Sequence, residues 1–287
     1  MPSTFEELPC FFPCEGEQLL GIVARPTQSA SVGVLIIVGG PQYRVGSHRQ
    51  FVHLSHRLAA RGIACMRFDY RGMGDSGGAM RGFERIDADL RAAVDAFFAR
   101  CPQIRSVALW GLCDGASAAC FYASTDARVS SLVLVNPWVR TEEGLARTHL
   151  RHYYVRRLLS RAFWQKLLGR RLSIRAAAGS FLATLRSATR SDSQAPTSSA
   201  RLADKQLILP ERMAHELARF GKNILLVLSE NDYTAKEFSA ARSKSAALNR
   251  ALGDARTEVL AEADHTFSTE AWKERVAEIT AGWIAAQ

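Results

Sequence analysis

Short apolar runs recur at Gln18–Ala24, Val32–Val38, Ile63–Phe68, Arg105–Trp110, Ser131–Asn136, Asn223–Leu228 and Thr257–Leu260, each of strand length. Runs such as IACMRF, apolar but for Arg67, show no alternation, as in a strand buried on both faces. Helical spacing fills most of the intervals. Ser47–Arg61 reads SHRQFVHLSHRLAAR, with Phe51, Leu54, Leu58 and Ala59 on one face before Gly62 stops it. Asp87–Phe98 repeats the logic with Leu90, Val94, Phe97 and Phe98, and Ser268–Ala285 predicts a final helix. Strand and helix in alternation predict an α/β fold, a mostly parallel sheet flanked by helices.

The alternation breaks after Pro137, where some 85 residues rich in Arg, Leu and aromatics precede the strand NILLVL. This divides the chain into a core, residues 1–136 and 223–287, and a basic helical insertion, residues 137–222. Within the insertion, His149–Leu168 has helical spacing, with Tyr153, Leu158, Leu159, Phe163 and Leu167 interleaved with Arg and Lys. Ser187–Ser199 is polar and reads as flexible.

Composition narrows the class. With 47% hydrophobic and 23% charged residues, the chain can bury a core without disulfide or metal support. No run of about 18 apolar residues occurs, so a transmembrane helix is not expected. The opening MPSTFEELPCFFPCEGEQ lacks the basic, apolar, small-residue progression of a secretory leader, and a cytoplasmic location is expected. Six cysteines without a regular framework fit a reducing compartment. Cys10 and Cys14 form a CxxxC pair with no second pair, so no metal is expected. Gly39 and Gly40 follow a strand without either phosphate-binding glycine pattern, and no cofactor is expected.

The net charge of +9 is concentrated. Between Pro137 and Pro210 there are fourteen Arg or Lys against four Asp or Glu, and the rest is nearly neutral. Such an excess attracts anionic groups: an acidic glycan, an acyl carrier, a phosphorylated lipid, or an anionic membrane surface touched by the amphipathic stretch. A packed insertion with a solvated basic face is the plainer alternative. No nucleic-acid-binding module is recognisable, so nucleic acid is not an expected partner.

The sharpest chemical signal is VALWGLCDGASAAC, a buried strand running into Gly111-Leu112-Cys113-Asp114-Gly115 and then a helix of small residues. The G-x-Ser-x-G elbow sets its middle residue on a strained strand-to-helix turn, and glycines flank it because a β-carbon would clash there. Here the middle residue is cysteine. A helix N-terminus favours its thiolate, a good nucleophile towards acyl carbon.

An elbow enzyme also needs an acid after a later strand and a histidine near the C-terminus, in the order nucleophile, acid, histidine. The strand NILLVL leads to SENDY, supplying Asp232, and the last strand leads to AEADHTFS, supplying His265. His265 would handle the thiol proton and Asp232 would orient its ring. Glu230 and Asp264 stand near enough to be alternative acids. Ser76 in GDSGG, and His48, His53 and His56, lack such a context and read as structural.

With these residues in place, the chain resembles the α/β hydrolases over nearly its full length. FDYRGMGDSGG at Phe68–Gly78 is similar to the loop that many members carry after their fourth strand. More narrowly, GGPQYRVGSHRQF and GLCDGAS resemble hydrolases associated with bacterial exosortase systems, whose genes accompany exopolysaccharide production and protein sorting. The resemblance implies acyl-transfer or ester-cleaving chemistry, with the insertion as a cap over the active site.

One segment departs from the pattern. Many members read His-Gly-x after the third strand, the x N–H forming half of the oxyanion hole, whereas this chain reads Gly39-Gly40-Pro41-Gln42. With Pro41 at x there is no N–H, and Gln42, through its backbone N–H or its side-chain amide, becomes the substitute donor beside the N–H of Asp114; the alternative is that Pro41 and Gln42 merely shape a turn. The expected activity is cleavage of a carboxylic ester or thioester through an acyl-Cys113 intermediate, on a small-molecule, glycan or lipid acyl substrate. An acyltransferase with the same site is one alternative. A scaffold that binds a membrane or partner through the basic insertion is another.

Overall fold

A computed structural model describes residues 5–28, 30–40, 42–140 and 208–287. The chain forms two units, one of Met1–Val139 with Leu209–Gln287 and one of Arg140–Ile208. The helix expected at His149–Leu168, the polar segment Ser187–Ser199 and Pro41 lie outside the described residues. The first unit holds every strand of the sheet and the three candidate residues Cys113, Asp232 and His265.

Eight strands form one sheet in the order β1-β2-β4-β3-β5-β6-β7-β8. They are β1 (Phe5–Cys14), β2 (Glu17–Pro26), β3 (Val32–Ile37), β4 (Cys65–Asp69), β5 (Ser106–Leu112), β6 (Val129–Val135), β7 (Asn223–Ser229) and β8 (Arg256–Leu260). β1 pairs antiparallel with β2, and β2 antiparallel with β4; every other neighbouring pair is parallel. The seven apolar runs all form strands, within a few residues of the expected bounds. β1 was not foreseen. FEELPCFFPC contains two prolines and polar residues, and it holds its place through a ladder to β2 alone, at the sheet edge where proline is tolerated.

Alternation of side chains across the central strands feeds two cores. Val34 and Ile36 face one side, with α1 (Gln50–Ala60) and α7 (Glu270–Ala285), through Phe51, Leu54, Leu58, Val276 and Ile284. Leu35 and Ile37 face the other, with α2 (Asp87–Arg100), α3 (Asp114–Ala123) and α4 (Leu209–Phe220). Both faces of the central sheet are therefore covered, which is why β3, β5 and β6 read as nearly unbroken apolar runs.

The expected boundary of the insertion moves. The sequence pattern places residues 137–222 in it, but α4 belongs to the core unit, because Met213 and Leu217 are buried in the same cluster as α3. Two further helices, α5 (Tyr233–Lys244) and α6 (Ala246–Ala251), connect β7 to β8.

The loop after β4 is structural. Asp69, fully buried, accepts the Arg44 N–H at 2.6 Å and the Asp75 N–H at 3.1 Å, and pairs with the Arg44 guanidinium. Ser76 donates to the Asp69 carbonyl and accepts the Leu20 N–H. Arg71 forms a buried pair with Asp89 in α2. These bonds tie the loops after β3 and β4 together at the ends of the parallel strands, where sites of open α/β sheets form.

Candidate active site

Only Cys113 separates β5 from α3, and the turn is made by its backbone at φ 60°, ψ −125°. That is a costly conformation for a residue with a side chain, and such strain gathers at functional turns. Its neighbours hold it there. The Cys113 N–H donates to the Val135 carbonyl at 3.0 Å, and its carbonyl accepts the N–H groups of Ala116 and Trp138, each at 3.1 Å.

The flanking glycines are required by space. A β-carbon on Gly111 would lie 2.4 Å from the Gly115 carbonyl oxygen, and one on Gly115 would lie 2.5 Å from the Ile37 carbonyl oxygen. Strand, turn and helix pack too closely for either.

Cys113 differs from the other five cysteines. Cys10, Cys14, Cys65, Cys101 and Cys120 are buried, whereas Cys113 is half-buried. Burial pushes the Cys65 thiol up to about 12 and the Cys101 thiol to about 11, which keeps both protonated and inert.

Asp232 ends the loop after β7 and caps α5, accepting the N–H groups of Thr234 and Ala235 at 3.1 Å each. The same carboxylate meets His265 Nδ1 at 2.8 Å. Asp232 is only 4% exposed, so its end of this bond is shielded from water, whereas the His265 side chain is 30% exposed. The alternative acids point elsewhere: Glu230 accepts the Glu262 N–H, and Asp264 accepts the N–H groups of Thr266 and Ser268.

Asn136 joins these loops. Its side-chain oxygen accepts the Ser229 N–H at 2.8 Å, and its amide donates to Ser229 Oγ and to the His265 carbonyl. It is fully buried and left-handed at φ 44°. Sequence reasoning missed it, since NPW at a strand end carries no chemical signal of its own.

The loop after β3 lies against the elbow. The Gly40 N–H donates to Asp114 Oδ1 at 2.5 Å. Gln42 faces its own turn: its N–H donates to the Gly40 carbonyl, and its Oε1 accepts from the N–H and hydroxyl of Ser47. The structure thus brings Gly40, rather than Gln42, onto the elbow. Burial raises the Asp114 carboxyl's pKa, and backbone N–H groups and the charge of the His265 ring bring it partly back.

The residues expected to be structural carry ordinary contacts. His53 sits between Glu270 and Glu274, and His56 pairs with Glu7. Among the described residues, no cluster of His, Cys, Asp and Glu could hold a metal ion. No described helix is long and apolar enough to cross a membrane.

The strand order, the elbow between β5 and α3, and the loop acid and histidine after β7 and β8 define an α/β hydrolase. The chain belongs to the alpha/beta hydrolase family, whose profile matches residues 34–279. No curated protein sequence matches it. Among solved structures it is similar to a Pyrococcus furiosus esterase, with TM-score 0.62 and 18% identity, over 96% of this chain and 91% of that one. Similar too is Est1E of Butyrivibrio proteoclasticus, solved with ferulic acid bound, with TM-score 0.63 and 15% identity over 97% and 98%. The esterase domain of a Rhodothermus marinus protein matches with TM-score 0.59 and 19% identity, over 97% of each chain.

Proposed function

We propose that the protein is an esterase or thioesterase that works through an acyl-Cys113 intermediate. The observation that carries this reading is the strained backbone of Cys113 at the start of α3, together with the 2.8 Å pair of His265 and Asp232. The esterases among its structural neighbours support the substrate class.

In this mechanism the Cys113 thiolate attacks the acyl carbon, forming the S–C bond as the carbonyl electron pair moves onto oxygen. The N–H of Asp114, the residue after the nucleophile, and the N–H of Gly40 in the β3 loop stabilise that oxygen. We assign this role to Gly40 rather than Gln42 because the Gly40 N–H reaches the elbow, where it bonds the Asp114 carboxyl, whereas the Gln42 N–H is taken by the Gly40 carbonyl. Collapse expels the alcohol or thiol, which takes its proton from the imidazolium of His265. His265 then removes a proton from water, which attacks the thioester and frees the acid and Cys113. Asp232 keeps Nδ1 protonated, leaving Nε2 for the proton transfers.

The resemblance of GGPQYRVGSHRQF and GLCDGAS to exosortase-associated hydrolases supports a role beside exopolysaccharide production or protein sorting. Cysteine makes the intermediate a thioester, whose acyl group amines and alcohols can also accept with release of the Cys113 thiolate.

The test is incubation with short p-nitrophenyl acyl esters, followed by intact-mass analysis of wild type, Cys113→Ala and His265→Ala. Wild type should turn over and gain an acyl mass that Cys113→Ala lacks. Absence of both turnover and acyl mass in wild type would refute the mechanism. Added hydroxylamine separates hydrolysis from transfer.

A further inference from the structure

The side chain of Asp114 engages the Gly40 N–H, one of the two donors that the proposed mechanism assigns to the acyl oxygen. Asp114 Oδ1 accepts this N–H at 2.5 Å. A β-carbon on Gly39 would lie 2.6 Å from the same oxygen, so the carboxyl fits into the crevice between the β3 loop and the first turn of α3. Burial raises its pKa, and the N–H groups of Gly40, Gly115 and Asp114 itself, together with the His265 ring, bring it partly back. The carboxyl therefore faces the backbone donors that the mechanism assigns to the tetrahedral oxygen.

One N–H cannot serve two oxygens at full strength, since hydrogen bonds weaken steeply away from linear geometry. Charge acts in the same direction. An ionised carboxyl beside a developing oxyanion opposes it, and a charge-assisted bond to an amide is about twice as strong as a neutral one.

We propose that the Asp114 carboxyl is the resident occupant of the oxyanion pocket, and that an acyl oxygen must displace it from the Gly40 N–H before Cys113 is acylated. The proposal rests on the reading of Cys113 as the nucleophile. It makes Asp114 a positioning residue with a selective effect: a substrate brings binding energy from elsewhere to move the carboxyl, so wild type turns over a small ester but slowly.

Two reactions of Cys113 separate the possibilities. Acylation by p-nitrophenyl butyrate passes through a tetrahedral oxyanion, whereas alkylation by iodoacetamide displaces iodide at a saturated carbon and forms none. Both rates are read by intact mass on the full chain for wild type, Asp114→Asn and Asp114→Ala. The backbone N–H of residue 114 survives in each variant, and Asn keeps an acceptor without the charge.

The ratio of acylation to alkylation should rise about tenfold in Asp114→Ala, with Asp114→Asn between it and wild type. Should Asp114→Ala fail to fold, a rise in Asp114→Asn alone supports the proposal. A ratio that falls or stays level in the folded variants overturns it, and the carboxyl is then a brace for the β3 loop. Alkylation without acylation in wild type and both variants overturns the nucleophile reading, and the occupant with it.

Discussion

Asp232 does two jobs with one carboxylate, and substitution can separate them. It caps α5 through two backbone N–H groups and bonds His265 Nδ1 at 2.8 Å. Asn caps a helix about as well as Asp, so Asp232→Asn should leave stability nearly unchanged. Its effect falls on His265: an amide can present a donor to Nδ1, selecting the tautomer with the proton on Nε2, the wrong nitrogen for a base. In a Ser-His-Asp enzyme that exchange costs on the order of 10⁴ in kcat, and a loss of about 10³- to 10⁴-fold is expected here. Asp232→Ala loses the cap as well, about 1 kcal/mol, which lowers the Tm by about 2 °C in a protein of this size. Ester turnover and thermal unfolding of both variants supply the two readouts. Asp232→Asn with more than about a tenth of wild-type kcat would refute the pairing as functional. Equal Tm values for the two variants would refute the cap.

Gly39→Ala places a β-carbon 2.0 Å from the Leu112 carbonyl oxygen, an atom that cannot swing aside, so the β3 loop must leave the elbow. A loss of about 1–3 kcal/mol in denaturant unfolding is expected with a fall in turnover, and wild-type values for both would contradict the close approach. On pH, the Arg128 guanidinium, bonded at 2.7 and 2.9 Å, holds the Asp126 carboxyl well below the usual carboxylate range. A depressed folded pKa contributes stability above the unfolded value of about 3.9 that is lost as pH falls towards the folded one. Asp126→Asn should therefore melt below wild type at neutral pH, with the gap narrowing below about pH 4; a gap that stays constant on acidification would count against the pair.

Much of the fold was legible because burial on both faces leaves a plain mark. Val34–Ile37, Val107–Leu112 and Leu132–Val135 are apolar at every position except Gly111, and each lies in the parallel part of the sheet. β1 left no such mark, since as an edge strand it buries only alternate side chains, Cys10, Phe12 and Cys14, on one face. The sequence pattern leaves α4 in the insertion because LPERMAHELARF interleaves charged with apolar residues, and only its packing beside α3 assigns Met213 and Leu217 to the core.

The candidate site divides in the same way. The sequence by itself determined the candidates Cys113, Asp232 and His265, because glycine spacing and chain order reflect local backbone geometry that any elbow must obey. Tertiary structure decided which acid meets the histidine, since Glu230, Asp232 and Asp264 differ in aim and not in type. It also brought the Gly40 N–H to the elbow, filled that place with the Asp114 carboxyl, and joined the acid and histidine loops through Asn136. These contacts link residues from 33 to 129 positions apart, and spacing along a chain cannot encode where such distant groups point.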